Sequence, residues 1–312
     1  MNSESSPKIK TLKPTELRAK ISQGVIAFPI TPFKQDLSLD LPALHHNLTK
    51  LLEHPISAVV AAGGTGEMYS LTPAEHTRVI ELTAHAVDGR VPVIAGVGFN
   101  ARLGSEMAQA AERVGATAIL AFPPYYPNAD ESGLFNYYRG LGSATSLPLI
   151  IYSRDWAVFS PEAVERLTEI ETLIAWKDGQ GDIRRLQAIM NRVGDRLQWI
   201  GGAGDDMVAA YYSTGIRSFT SSIATVAPRL SLRLHELGSA GSLEELAALL
   251  QRAVIPLYGI RSRRKGYEVS TMKALMDMVG LFGGPVRPPL VDVTVEEKQE
   301  LKVILNEWEE FL

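Results

Sequence analysis

The stretch LIAWKDG, Leu173 to Gly179, puts a lysine where a buried apolar run should continue. An ammonium group is seldom buried alone, because taking it out of water costs several kcal/mol. Lys177 therefore reads in one of two ways: as a strand-end partner of Asp178, or as an amine kept for chemistry. A partly desolvated amine has a lowered pKa and condenses with a ketone to a Schiff base, which makes a proton beside the carbonyl removable. Two other places suit such a reaction. Ala62-Gly63-Gly64-Thr65-Gly66-Glu67 joins three glycines to a hydroxyl. That composition either lets backbone N–H groups approach an anion, helped by the positive end of a following helix, or forms a plain tight turn. No Lys-Ser/Thr pair follows, so it is not a Walker-type loop. Tyr152, ending PLIIYS, is either an amphipathic core residue or a proton carrier whose pKa a neighbour lowers. Brought together, the three describe chemistry on an α-keto acid.

These residues need a scaffold that gathers strand ends. Short apolar runs recur at 24–31, 58–63, 91–98, 116–122, 148–153, 173–178, 197–202 and 215–222, with starts 18 to 34 residues apart. Most are continuous in Ala, Val, Ile and Leu, the signature of parallel strands covered on both faces. Between them lie helical patterns at 42–54, 70–89, 102–115 and 160–171, two of them opening on Thr72-Pro73 and Ser160-Pro161. A hydroxyl cap followed by proline marks a helix start. Eight strand–helix units, and no Gly-x-Gly-x-x-Gly turn after the first strand, predict a (β/α)8 barrel over a doubly wound sheet. In a barrel, reacting groups sit at the C-terminal strand ends, where Tyr152 and Lys177 fall. After residue 229 only helical patterns remain, so the expected organisation is a catalytic barrel over 1–229 and a C-terminal helical extension over 230–312.

The 312 residues are 46% hydrophobic and 21% charged, ordinary for a chain that buries a large core. A net charge of −4 argues against nucleic acid or an anionic membrane as partner. The absence of cysteine excludes disulfides, thiolate nucleophiles and Cys-based metal sites, and fits a cytoplasmic location. The polar start MNSESSPKIKTLKPTELRAK has no signal-peptide core, and no apolar stretch approaches membrane-spanning length. The six histidines show no metal-ligand spacing; His45 and His46 are helix neighbours that point to different faces. RRKG (263–266) reads as a solvated or interface cluster rather than a nucleic-acid patch.

The motifs together resemble the class I aldolase superfamily of dihydrodipicolinate synthase and N-acetylneuraminate lyase. The likeness covers nearly the whole chain: FPITPF (28–33), GGTGE (63–67), PPYY (123–126), Tyr152 and Lys177. Within the superfamily the resemblance is greatest to the 5-dehydro-4-deoxyglucarate dehydratase branch, on AAGGTGE (61–67), YSRDWAV (152–158), WKDGQGD (176–182), RRKGYEVS (263–270) and GPVRPP (284–289). It implies loss of water and CO2 from a keto-deoxy-glucarate, with a Schiff base on Lys177, proton movement by Tyr152, and a carboxylate held by Gly64, Thr65 and Gly66. It further implies no cofactor or metal, a small-molecule keto sugar acid as partner, and a homo-oligomer, dimer or tetramer, in which Tyr126 either reaches a neighbouring site or packs at the interface. Ser153, Trp156, the Gly201–Gly204 turn and the Phe219-Thr220-Ser221 strand end depart from the branch pattern. Ser153, Gly202 and Ser221 are expected there as substrate-binding residues. A retro-aldol lyase on a 2-keto-3-deoxy sugar acid would use the same lysine and tyrosine. A dihydrodipicolinate-synthase-like condensation is disfavoured by the placing of Arg154, two residues after Tyr152.

Overall fold

A computed structural model describes residues 12–312, so most of the polar N-terminal stretch lies outside the described residues. Eight parallel strands close in sequence order: β1 (Gly24–Ala27), β2 (Ala58–Ala61), β3 (Val93–Phe99), β4 (Ala118–Pro124), β5 (Leu149–Ser153), β6 (Leu173–Asp178), β7 (Gln198–Gly201) and β8 (Ser218–Ser221), with β8 pairing back to β1. The fold is the expected (β/α)8 barrel. Every residue of β2 and of β6 is buried. Helices outside and packed side chains inside leave no solvent face, which is why these strands read as continuous apolar runs.

A first helix, α1 (Pro14–Ile21), precedes β1; Leu17 and Ile21 are fully buried, and Arg18 donates to the carbonyl of Asp195 at 2.6 Å. The ring comprises α2 (Leu41–Leu51), α3 (Pro73–Val87), α4 (Ala101–Arg113), α5 (Glu131–Ser143), α6 (Pro161–Leu167), α7 (Ile183–Val193), α8 (Val208–Ser213) and α9 (Pro228–Ala240). Capping is as the composition predicts: the Thr72 and Ser160 hydroxyls accept from the N–H groups of Glu75 and Ala163. α9 packs on β1 and α8 and so completes the ring. The boundary expected at 229/230 falls inside this helix, because helical periodicity alone does not separate a ring helix from those that follow it.

Four more helices end the chain: α10 (Leu243–Leu249), α11 (Ile255–Arg261), α12 (Tyr267–Met278) and α13 (Val295–Asn306). They grip the barrel through polar contacts deep in the structure. Lys273 of α12 lies 2.6 Å from Glu67, both essentially unexposed. Arg287 forks onto Glu75 of α3, at 2.6 and 2.9 Å, and its guanidinium holds that carboxyl down to about 2. Among the described residues no helix is long and apolar enough to cross a membrane.

Candidate active site

At the C-terminal mouth of the barrel lies a cavity of about 500 Å³. Lys177 projects into it with 2% of its surface exposed. Its Nζ donates to the Gly202 carbonyl at 3.0 Å and sits 3.1 Å from the Tyr152 ring centroid and 5.1 Å from that of Phe28. Burial removes water from the ammonium and holds its pKa well below the usual lysine value; Arg154 pushes the same way and Asp178 opposes weakly. Asp178 is not its ion-pair partner. The Asp178 carboxylate accepts from the Tyr211 hydroxyl at 2.8 Å and the Gly181 N–H at 3.1 Å. Successive strand residues face opposite sides of a sheet, so Lys177 points inward and Asp178 outward.

Strand register supplies the next group. Tyr152 of β5 pairs with Lys177 of β6, so both leave the sheet on the same face. The phenol donates to the Gly202 carbonyl at 3.2 Å, the oxygen that also receives the Lys177 amine. Burial raises the Tyr152 pKa; Arg154, its guanidinium carbon 5.3 Å from the ring centroid, pulls it down without reversing the shift. The lowered phenol considered from sequence is absent, and Tyr152 is protonated at neutral pH. Gly202 is required by the close approach: a Cβ there would lie 2.5 Å from Lys177 Cγ and 2.6 Å from Nζ.

On the opposite wall, Gly64 and Thr65 line the cavity. None of the hydrogen bonds among the described residues uses the N–H groups of Gly64, Thr65 or Gly66. Unused backbone donors beside a cavity are what an anion needs. A Cβ on Gly64 would lie 3.2 Å from Arg154 Nη1, so a guanidinium borders the same spot. Glu67 closes the loop in a left-handed conformation, with φ of 54°; Lys273 and the Arg287 N–H (3.0 Å) hold its carboxylate. The following helix adds no free positive end, because the N-terminus of α3 is capped by its own Thr72–Glu75 box.

A third wall comes from beyond the ring. Tyr258 and Arg261 of α11 line the cavity with Asp205, Thr220 and Ser222. The Tyr258 hydroxyl accepts from the Asp205 N–H at 2.7 Å and donates to its carboxylate at 3.3 Å. Burial pushes Asp205 up to about 6. Among the described residues, no three His, Cys, Asp or Glu side chains cluster as a metal site would require.

The sequence model of the Dihydrodipicolinate synthetase family matches residues 21–308. The chain belongs to this family. Proteins named "Probable 5-dehydro-4-deoxyglucarate dehydratase" are similar to it: that of Bradyrhizobium diazoefficiens is 35% identical over 298 residues, covering 95% of each chain. That of Saccharopolyspora erythraea is 38% identical over 283 residues, covering 90% of this chain and 92% of the relative. Among solved structures, dihydrodipicolinate synthase from Oceanobacillus iheyensis superposes with a TM-score of 0.89 at 27% identity, over 96% of this chain and 100% of that one. The chloride-inhibited Acinetobacter baumannii enzyme, complexed with pyruvate, gives 0.84 at 28% identity, over 93% and 100%.

In this member of the dihydrodipicolinate synthetase family, Lys177, Tyr152, Gly64, Thr65 and Gly202 meet at one cavity. Gly66 lies behind it: its carbonyl accepts from Thr31 at 2.7 Å, and a Cβ there would meet backbone. The hydroxyls of Ser153 and Ser221 face away. Ser153 donates to the Ala157 carbonyl at 3.0 Å, and Ser221 engages Asp205, Ser231 and the Ala224 N–H. The reason is parity: each follows an inward residue, Tyr152 or Thr220, and so turns outward. Tyr126 is 70% exposed and outside the cavity lining, whereas Tyr125 lines the rim, edge-on to Trp156. The sequence reading missed Thr220 by one residue. It missed Tyr258 and Arg261 because helical periodicity does not say which face of α11 meets a barrel mouth.

Proposed function

We propose that the chain is a Schiff-base-forming lyase that converts 5-dehydro-4-deoxy-D-glucarate to 2,5-dioxopentanoate, water and CO2. The observation that carries the reading is the amine of Lys177, buried without an acid partner and touching a protonated tyrosine through one shared carbonyl. The names of its relatives favour this keto acid. Desolvation favours the neutral, nucleophilic form of the amine, which adds to the C5 ketone. The Tyr152 phenol supplies the proton with which the carbonyl oxygen leaves as water. The resulting phenolate faces the new iminium and takes a proton from C4; the electrons pass into the iminium as an enamine. Their return expels the C3 hydroxyl, protonated on departure, and leaves a C3–C4 double bond conjugated to the imine. The C1–C2 bonding pair then flows through that conjugation to nitrogen as CO2 departs. Protonation and hydrolysis release the product and Lys177. Gly64 and Thr65, with N–H groups unused in the protein, bind the carboxylate beside the ketone, and Gly66 shapes that loop. No cofactor enters, since the iminium is the electron sink.

The acidic, cysteine-free composition favours a cytoplasmic setting, and the exposed Tyr125 and Tyr126 favour a homo-oligomer. The test is direct. Borohydride with the keto acid adds substrate mass at Lys177, turnover yields CO2 and semialdehyde in equal amounts, and Lys177→Ala abolishes both while remaining folded. Pyruvate released without CO2 would identify a retro-aldol lyase instead.

A further inference from the structure

Arg261 is a buried cation with no acid bound to it. Its surface is 8% exposed, yet among the described residues it belongs to no ion pair. Its guanidinium donates to the Ser222 hydroxyl at 3.0 Å and the Thr271 hydroxyl at 3.4 Å, and touches the Met272 sulfur, all neutral partners. Asp205 feels its field, but that carboxylate is taken by the Ser221 and Tyr258 hydroxyls. Arginine cannot shed its proton as Lys177 can, and a buried charge left unpaired is costly. The other guanidinium of the cavity is already matched, for Arg154 binds Asp155 at 2.7 Å and borders the Gly64 loop. Arg261 stands elsewhere on the lining, anchored beside the end of β8. A π-helical turn at Leu250–Val254, with Pro256 starting the next helix, sets the phase of α11 so that Tyr258 and Arg261 both reach the cavity.

We propose that Arg261, steadied by Ser222, binds the carboxylate at the far end of the substrate and so selects dicarboxylic keto acids over monocarboxylic ones. The proposal rests on the keto-acid reading above and adds its specificity determinant, contributed by the C-terminal helices. Binding that carboxylate also orients the C1–C2 bond, whose electrons must leave along the imine conjugation.

The Lys177→Ala variant binds without reacting, so calorimetry in that background separates recognition from catalysis. Two ligands are compared: 5-dehydro-4-deoxy-D-glucarate and the acid of the same stereochemistry whose distal carboxylate is reduced to hydroxymethyl. The dicarboxylate binds roughly 10- to 150-fold more tightly, the range for one charge-assisted contact. Adding Arg261→Gln erases the ratio, and Arg261→Lys keeps part of it. A ratio unchanged by Arg261→Gln, or both acids weakened equally, overturns the proposal. Should Arg261→Gln fail to fold, absence of any preference in the parent overturns it alone. Absence of a borohydride adduct in the unsubstituted protein would instead sink the Schiff-base reading and leave this ratio to be judged by itself.

Discussion

Gly202→Ala is the sharpest probe of how Lys177 is placed. The added methyl would lie 2.5 Å from Lys177 Cγ, 2.6 Å from Nζ and 2.7 Å from the Asp178 carbonyl oxygen. Real Cβ contacts do not come so close, and one of the three atoms is backbone that cannot swing aside. Relief therefore requires the lysine chain to move by about 1 Å or the β7 end to shift outward. Overpacking of this kind costs about 1–3 kcal/mol of stability, and a misplacement of about 1 Å costs on the order of 100-fold in rate. Either movement also breaks the shared carbonyl that receives Lys177 and Tyr152. The expected result is a folded protein, less stable by about 1–3 kcal/mol in urea titration, whose rate of borohydride-trapped adduct formation with pyruvate falls about 100-fold. Gly140→Ala is the control of opposite sign. A Cβ on that helical glycine meets nothing within 4 Å, so the substitution stabilises by about 0.5–1 kcal/mol and leaves trapping unchanged. Full trapping by Gly202→Ala would refute the claim that this glycine fixes the amine.

Two further outcomes follow from the buried charges. An unfolded lysine keeps its proton to about 10.4, whereas burial makes folded Lys177 release it earlier. Between those two values the unfolded chain holds more protons, so this residue makes stability rise with pH across the window. Lys177→Met therefore stabilises the protein at neutral pH and flattens that slope in denaturant titrations at several pH values, while trapping by the native chain reaches its plateau well below pH 10.4; a plateau only near that value would show an ordinary lysine. Glu67→Gln leaves Lys273 buried without its acid and costs about 3–5 kcal/mol, and adding Lys273→Met to it recovers part of the loss. Strictly additive losses in urea titration would show that the two side chains do not act as a pair.

The barrel is legible because its physics is local: strands covered on both faces must be apolar throughout, and each helix start carries a cap. The pairing of Lys177 with Tyr152 at the cavity is legible for a related reason, since a polar group ending such a run has to be explained. What local pattern leaves open is parity and tertiary reach. Ser153 and Ser221 are hydroxyls at strand ends, as suitable in type as Thr220, yet a single step along a strand turns them from the cavity into the wall. Which residue of a four-residue strand points inward depends on where pairing begins, and β8 begins at Ser218, three residues inside the run that marks it. Arg261 is invisible for a different reason. It lies 84 positions beyond Lys177 in a segment whose pattern reads only as helix, and just the packing of α11 over the barrel mouth makes it part of the site.

Three buried basic side chains show how the same burial serves different ends. Lys273 has a full partner in Glu67 at 2.6 Å, so its charge is neutralised within the fold and ties the C-terminal helices to the glycine-rich loop after β2. Lys177 has a carboxylate next to it in sequence, but strand alternation and Tyr211 hold Asp178 away. Burial lowers the pKa of the amine and so favours its neutral form, the form the proposed Schiff-base chemistry requires. Arg261 has neither route: among the described residues it meets two hydroxyls, a sulfur and, at 4.9 Å, the Tyr258 ring, but no carboxylate within ion-pair distance. A fold that carries such a residue is less stable than it need be until an anion arrives. At equal concentration the dicarboxylate should therefore raise the melting temperature more than the analogue whose distal carboxylate is reduced, because relief of that burden appears as a lower Kd.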